Sequence, residues 1–227
     1  PTKISWTREI QADLGRFKTR DFISCDMVYS LYRPFSKQWM YFNSNFNNCV
    51  YQMPKIFPNT SAKNQMIYCS GSGNSGKDFS TIITDNIPDL NMQHSGGQGF
   101  PLYLYEPNTT HTQTNPQGGL FDEPSVPTTT GYTRRDAITD AGLKHFSDFY
   151  QDQSISKEDL FYYIYGLLHS EEYKSKYADN LTKELPRIPR VKKLTDFWAF
   201  SQAGRKLAEL HINYETVKPY PVTFDVT

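Results

Sequence analysis

The stretch SKEDLFYYIYGLLHS, residues 156–170, carries the clearest structural pattern in this sequence of 227 residues. Its first residue, Ser156, is a typical helix N-cap, because the hydroxyl can accept a hydrogen bond from a free backbone N–H of the first turn. Apolar residues then recur at the three- and four-residue spacing of a single helix face, namely Leu160, Ile164, Leu167 and Leu168. A helix with such a stripe buries it against other elements, so we predict a core helix here.

The sequence on both sides of this stretch keeps the helical period. A helix is predicted to begin near residue 134, where Thr133 and Asp136 have the spacing of a loose capping box. Ser170 is predicted to cap a further helix and Thr195 the last one. The buried face of the last helix is expected to comprise Phe197, Phe200, Gly204, Leu207 and His211. Residues 134–227 are therefore predicted to form a helical lobe.

The first 106 residues contain short runs rich in β-branched and aromatic residues instead. Thr7 and Gly15 bound one short helix, and residues 27–42 alternate around an Arg-Pro turn, which predicts a hairpin. The runs NQMIYCS, FSTIIT and FPLYLYE predict further strands. Residues 107–133 contain four prolines and three glycines and are predicted to be a variable loop or linker. The fold class is α+β, with a β-rich recognition lobe at residues 1–106 followed by the helical lobe.

Charge is distributed unevenly along a chain whose formal net charge is zero. Residues 1–80 hold ten Lys and Arg against five Asp and Glu, whereas residues 81–130 hold five acids and no Lys or Arg. A localised basic face can bind phosphates while the whole molecule stays neutral. Zero net charge therefore does not exclude nucleic acid as a partner.

Several classes of function lack support in the sequence. The three cysteines and five histidines are too scattered for a disulfide scaffold or a metal site. No nucleophile motif surrounds Asp85, His94 and Ser95. We therefore interpret them as ordinary loop residues and not as the triad of a self-standing hydrolase. Asp136 and Asp140 are interpreted as favouring a helix dipole rather than as a catalytic pair. No apolar run is long enough to cross a membrane, and no signal peptide is recognisable, so we expect a soluble, intracellular protein.

The segment GSGNSGKD, residues 71–78, matches part of a phosphate-binding loop. Asp78 stands where the Ser or Thr that holds Mg²⁺ is required, and Ile82 and Ile83 favour a strand where a helix should follow. We therefore predict that no nucleotide binds here. Two interpretations remain, a flexible turn that faces DNA through Asn74 and Lys77, or a solvated hairpin loop.

Longer stretches of the chain resemble a known family. LYRPFSKQWMYF, HSGGQGFPLYLYE, DAITDAGLKHF, KEDLFYYIYGLLHSEEYKSKYADNLTKELPRIPRV and DFWAFSQAGRKLAELHINYE are similar to the C-terminal specificity, or target recognition, region of the single-polypeptide Type ISP restriction–modification enzymes. The resemblance runs in order over residues 30–220. Residues 107–132 look like a variable insertion within it.

This resemblance implies a DNA-binding part of a larger enzyme. Such enzymes join a nuclease and an ATP-driven, helicase-like motor to an adenine-N6 methyltransferase and a target recognition domain. The motor's phosphate loop and the Asn-Pro-Pro-Tyr-type motif of the methyltransferase do not occur in this chain, which we therefore expect to be a fragment without catalytic activity. The implied partners are double-stranded DNA and the attached methyltransferase domain. S-adenosylmethionine, ATP and Mg²⁺ would bind upstream domains, and the implied location is the bacterial cytoplasm.

Two kinds of side chain are candidates for contacting DNA. Asn and Gln amides read adenine edges and Arg or Lys read guanine, which points to the polar loop residues Asn91, Gln93, His94 and Gln98 and to the turn residues Asn74 and Lys77. Phosphate contacts require cations, which cluster at Arg16, Lys18 and Arg20 and again at Arg187, Arg190, Lys192 and Lys193. Each cluster can equally be a solvated charged face.

A different function remains open at this point. The helical half can be a protein-interaction module that docks the methyltransferase or the motor domain and touches no DNA. Binding to labelled duplexes at two salt concentrations separates the alternatives, because only DNA contacts give a steep salt dependence.

Overall fold

The structure, a computed structural model, describes residues 6–71, 79–93, 96–108, 128–129 and 131–222. Its first part contains most of the strands and its last part most of the helices, which confirms the α+β class. The first element is helix α1 (Arg8–Gly15), whose N-cap Thr7 accepts a hydrogen bond from Ile10 N as the sequence predicts. In the part of the chain that is described, no helix is long and apolar enough to cross a membrane.

The predicted hairpin lies in the first of the three small sheets that the described residues form. Strands β1 (Met27–Arg33) and β2 (Ser36–Tyr41) pair antiparallel around the Pro34-Phe35 turn. A short helix, α2 (Met53–Ile56), follows them. Farther along the chain, the two-residue strand β5 (Ile87–Pro88) adds to β1 in parallel, so the hairpin contacts the segment that leads into the polar loop.

The central sheet is buried on both of its faces. Strand β3 (Met66–Cys69) pairs antiparallel with β4 (Thr81–Thr84) on one side and with β6 (Gln98–Pro101) on the other. All residues of β3 and β4 are buried, and successive side chains point to opposite faces of a sheet. Ile67, Cys69 and Ile83 belong to the core cluster formed with the helices, whereas Met66, Tyr68 and Ile82 belong to the cluster formed with the hairpin.

The prediction that a helix begins near residue 134 is wrong. Residues 132–136 form strand β9 (Tyr132–Asp136), which pairs antiparallel with β7 (Tyr103–Pro107) and with the short strand β8 (Thr128–Thr129). This pairing gives backbone N–H and C=O groups of residues 103–107 their hydrogen-bond partners. Local capping rules do not take such distant pairing into account. Helix α3 (Asp140–Tyr150) begins after Thr139, whose Oγ1 accepts from Gly142 N at 3.1 Å. The division into lobes at residues 107–133 stays a prediction.

The core helix predicted from residues 156–170 is confirmed as α4 (Lys157–Leu168). Ser156 and Asp159 form a reciprocal capping box at its start. Leu160, Leu167 and Leu168 are buried and Ile164 is half-buried, but the burial extends beyond the predicted stripe. The further buried residues of α4 are Phe161, Tyr162, Tyr163, Tyr165 and Gly166.

The remaining helices differ from prediction mainly at their ends. The predicted helix after Ser170 is divided into α5 (Glu171–Lys176) and α6 (Ala178–Leu181), with Ser170 as the N-cap of the first. Helix α7 (Leu194–Ile212) begins before Thr195, and its N-cap position is Lys193, which makes no side-chain cap. Phe197 and Gly204 are buried on its inner face, which packs along α4.

Candidate nucleic-acid interface

The polar loop between β5 and β6 is fixed to the scaffold at its base. Asp89 Oδ1 accepts hydrogen bonds from Arg33 Nη1 at 3.1 Å and from Asn91 N at 2.8 Å. The Tyr68 hydroxyl donates to Leu90 O at 2.8 Å, and the Met92 side chain is fully buried. The loop therefore leaves the core along a defined path, and its polar groups have a rigid support.

The candidate base-reading amides of this loop have different environments. Asn91 and Gln98 are exposed, the latter on β6 opposite Cys69. Gln93 is half-buried, and its Oε1 is buried without a hydrogen bond to any described residue. His94 lies outside the described residues. The loop thus presents the Asn91 amide to solvent, and the first residue of β6 presents a second one.

The glycine-rich turn connects two antiparallel strands. Its candidate residues Asn74 and Lys77 lie outside the described residues, but its two ends are held together by the hydrogen bonds Ser70 N to Ser80 O at 2.9 Å and Ser80 N to Ser70 Oγ at 3.1 Å. The segment after it enters strand β4 rather than a helix. A phosphate-binding loop needs that helix N-terminus, so the context expected for a nucleotide site is absent where the structure describes it.

The basic cluster after α1 is partly occupied by an internal ion pair. Arg20 Nε lies 2.5 Å from Asp13 Oδ2, and this hydrogen bond is the main reason why the pKa of Asp13 is lowered. Arg16 and Lys18 are exposed and carry no ion pair within the described residues. Two of the three predicted cations are therefore available to an anionic partner.

The second basic cluster lies on an extended segment that tyrosine hydroxyls hold in place. Tyr163 donates to Pro189 O at 2.6 Å, Tyr150 to Val191 O at 2.8 Å, and Tyr173 to Arg187 O at 2.8 Å. These tyrosines belong to three different helices of the core. The backbone that carries the cations is thereby fixed, although it has neither helix nor strand structure.

The four cations of this segment differ in their freedom. Arg187 pairs with Glu184 at 3.1 Å. The Arg190 guanidinium lies over the Phe149 ring, 4.3 Å from its centroid, and its Nη1 is 3.4 Å from His145 O. Lys192 and Lys193 are exposed and make no ion pair with a described residue. Arg190 is consequently an oriented donor, since a ring face and a carbonyl restrict its plane.

Arg33 is a further candidate, which the sequence predicts only as part of a turn. Its guanidinium lies 4.0 Å from the Tyr32 ring centroid and pairs with Asp89 at the base of the polar loop. Arg33 and Asp89 lie close together because β1 pairs in parallel with β5, and no local sequence pattern indicates that pairing. Within the described residues, no ion pair or hydrogen bond joins this loop to either basic cluster.

The acidic pair Asp136 and Asp140 has a structural role instead of the predicted place on one helix. Asp136 ends β9 and Asp140 begins α3, and both contact Lys157 Nζ, at 3.2 and 2.6 Å. The hydrogen bond to Asp140 is the largest cause of the raised pKa of Lys157. No group of three or more His, Cys, Asp or Glu that could hold a metal ion occurs among the residues described.

Comparison with known proteins gives one family and several solved structures. The family described as the Type ISP C-terminal specificity domain matches residues 1–227. The cryoEM structure of a DrdV–DNA complex is 38% identical with a TM-score of 0.78, over 96% of this chain and 19% of that one. No curated protein matches.

Two further solved structures are similar over nearly the whole chain. The ATP-dependent Type ISP restriction–modification enzyme LlaBIII bound to DNA is 33% identical with a TM-score of 0.76, covering 95% of this chain and 13% of that one. A nuclease-deletion mutant of the Type ISP enzyme LlaGI, in complex with a DNA substrate mimic, is 30% identical with a TM-score of 0.70, covering 95% and 16%. The chain thus spans less than a fifth of the length of each of these three solved structures.

Proposed function

This chain belongs to the family of Type ISP C-terminal specificity domains, and from that premise we propose that it binds duplex DNA and recognises a specific base sequence. The observation that carries the proposal is its similarity, over 95% or more of its length, to three solved structures that contain DNA or a DNA substrate mimic. These relatives include two Type ISP enzymes.

The arrangement of polar groups supports a division between base reading and phosphate binding. Asn91 is an amide on a loop fixed at its base and Gln98 is an amide at the start of β6, and amides can make paired hydrogen bonds with adenine in the major groove. Arg190, Lys192 and Lys193 are cations on a segment that three tyrosines fix, which suits phosphate contacts that set position and affinity. Rigid support on both surfaces reduces the entropy that binding must offset.

Catalysis is proposed to belong to other parts of a longer polypeptide. In this proposal the chain directs an attached adenine-N6 methyltransferase and an ATP-dependent nuclease to their site and has no catalytic residue of its own. S-adenosylmethionine, ATP and Mg²⁺ would bind those parts, and the methyltransferase domain would be the protein partner. Because the ligand is DNA, a bacterial cytoplasmic location is part of the same proposal.

The alternative of a helical docking module is less well supported by the packing. It needs an apolar helix face that is free to receive another domain. Leu160, Leu167 and Leu168 of α4 are instead buried in the shared core, and so are Phe161, Tyr163 and Tyr165 on its other sides. The apolar stripe of α4 is therefore already covered by the chain itself.

Salt dependence of DNA binding tests the proposed function directly. The chain is titrated with two fluorescent duplexes. One has a mixed sequence, and the other has the sequence that the chain selects from a randomised pool. For about four phosphate contacts, affinity is expected to fall roughly 150-fold between about 50 and 200 mM salt, on top of any preference for the selected site. Salt-insensitive binding, or no enrichment from the pool, would contradict the proposal.

A further inference from the structure

The backbone just after α1 holds an aromatic side chain in solvent. Phe17 is 96% exposed, and its φ of 56° lies in the left-handed region. Phe17 N donates to Leu14 O at 3.2 Å and Lys18 N donates to Asp13 O at 2.9 Å. These two hydrogen bonds make a Schellman motif, in which the left-handed residue is usually glycine because a Cβ is unfavourable there.

No packing of the Phe17 side chain offsets the strain of its backbone. No ring stacks on it in the part of the chain that the structure describes, whereas Phe22 of the same segment stacks on Tyr41 with centroids 5.3 Å apart. A large apolar side chain that is both strained and exposed costs stability. Strain of this kind is found where a residue has a function that the isolated fold does not use.

Charge around Phe17 is predominantly positive. Arg16 and Lys18, on either side of it, are exposed. The charge of Asp13 is paired with that of Arg20, and Asp21 is the one other acidic residue in the segment of residues 13–22. The same ion pair and the helix-end hydrogen bonds fix the backbone, so the ring and the two cations project from a rigid base.

We propose that Phe17 is a DNA wedge, a side chain that packs against bases at an opened step while Arg16 and Lys18 contact the flanking phosphates. The inference rests on the proposed function and adds a contact to it. Apolar side chains inserted at a base step unstack it and bend the duplex, and aromatic rings stack on any base. A single ring between two cations matches the alternation of bases and phosphates, whereas an apolar protein groove would have to desolvate both cations.

Replacement of the ring by glycine separates this function from stability. Phe17→Gly removes the Cβ from the left-handed position, so the melting temperature is expected to rise. Affinity for the selected duplex is expected to fall by roughly 5- to 150-fold, the range that loss of one base–aromatic stack produces. Because the variant is more stable, unfolding cannot account for the loss. Phe22→Ala, at the other exposed phenylalanine of the segment, should bind like the parent chain.

Duplexes with a weakened step give a second, independent readout. A single mismatch is placed at successive positions of the selected site, with 2-aminopurine next to it. The parent chain is expected to bind one of these duplexes more tightly than the fully paired one and to increase its fluorescence, because the step is already partly unstacked. Phe17→Gly should show neither effect, while Phe17→Leu, which keeps an apolar wedge, should keep both.

Each failure has a distinct meaning. If Phe17→Gly binds the selected duplex with the parent's affinity, the wedge is excluded and the proposed function stands. If it binds more weakly but no mismatch position distinguishes it from the parent chain, the ring acts elsewhere and the wedge is again excluded. If the parent chain binds no DNA at low salt, the proposed function itself fails, and the wedge fails with it.

Discussion

Gly166 and Gly204 lie against each other where α4 crosses α7, and neither position has room for a side chain. A Cβ on Gly204 would overlap Tyr162 O, and a Cβ on Gly166 would overlap Phe200 O. The obstructing atoms are backbone, which cannot move without displacing a helix. The two glycines therefore set how closely the helices of the core approach.

Gly204→Ala is expected to destabilise the chain although alanine favours helix formation. Forcing a methyl group into a filled site costs about 1–3 kcal/mol, which exceeds the roughly 1 kcal/mol that alanine gains over glycine in a helix. Thermal or urea unfolding measures the difference. Gly15→Ala is the matched control, since no atom lies within 4 Å of its added Cβ. Equal stability of both variants and the parent chain would show that the helices separate easily.

Stability is expected to fall as the solution becomes acidic, because of two histidines at the ends of α4 and α7. Burial lowers the pKa of His169 to about 4, and the pKa of His211 is also lowered by burial. The unfolded chain takes up these protons near the ordinary value of about 6.5. The contribution of neutral His169 is therefore complete above that pH and is lost as pH falls toward 4.

Unfolding curves measured between these pH values test the histidine assignment. His169→Gln should flatten the dependence of unfolding free energy on pH, because glutamine does not titrate. His145→Gln, at an exposed histidine, is the control and should keep the parent's slope. An unchanged slope in the first variant would mean that His169 is not the group responsible.

Loss of the Tyr163 hydroxyl is expected to loosen the basic segment. That hydroxyl donates to Pro189 O and accepts from Val191 N at 3.3 Å, so Tyr163→Phe removes both contacts. The expected cost is about 1–3 kcal/mol, because Pro189 O loses its donor in a partly buried place. Amide exchange of Val191 should accelerate and DNA affinity should fall. Tyr29→Phe, at an exposed tyrosine, should change neither property.

Asn91→Ala is expected to relax discrimination at one base pair. A paired hydrogen bond to an adenine edge contributes roughly 1–3 kcal/mol of preference, whereas non-specific affinity comes from phosphates and should not change. Selection from a randomised pool, with and without the substitution, measures the preference at each position. If the selected site and its mismatch penalties are unaltered, Asn91 does not read a base, and the turn with Asn74 and Lys77 becomes the next candidate.

Arg190→Ala is expected to act in the opposite way. Removal of a phosphate contact should weaken binding to every sequence alike and reduce the salt slope by about 0.9. Arg190→Lys keeps the charge but loses the flat guanidinium that lies on Phe149, so an intermediate loss is expected. Lys183→Ala, at an exposed lysine outside the segment, is the control. A change in base preference at one position would contradict the assignment.

Sequence reasoning succeeded for most features that depend on neighbouring residues, although the cap predicted at Thr195 is not formed. The hairpin around Pro34 and the caps at Thr7, Ser156 and Ser170 are local, and each is found in the structure. Strand β9 was missed because its partner lies about thirty residues earlier in the chain, so helix-like spacing at Thr133 and Asp136 was misleading.

The candidate site was predicted less completely for the same reason. Cations and amides are visible in a sequence, but what holds them is not. The sequence assigns no role to the tyrosines that fix residues 187–191, because the rings of Tyr163 and Tyr173 are buried in the core and only their hydroxyls reach the segment. The contact of Arg33 with Asp89 depends on a two-residue parallel pairing, which is too short to leave a pattern.

The burial of the central sheet on both faces has a consequence for how the sequence of such a chain can evolve. The glycine-rich turn connects two strands of this sheet and the loop at residues 89–97 leads into the third, while the packing is carried by residues such as Met66, Ile67 and Ile83. Exposed positions such as Asn91 can therefore mutate freely without a penalty in folding. A lineage can explore new target sequences by drift at the loops alone, while the layer beneath them stays under purifying selection.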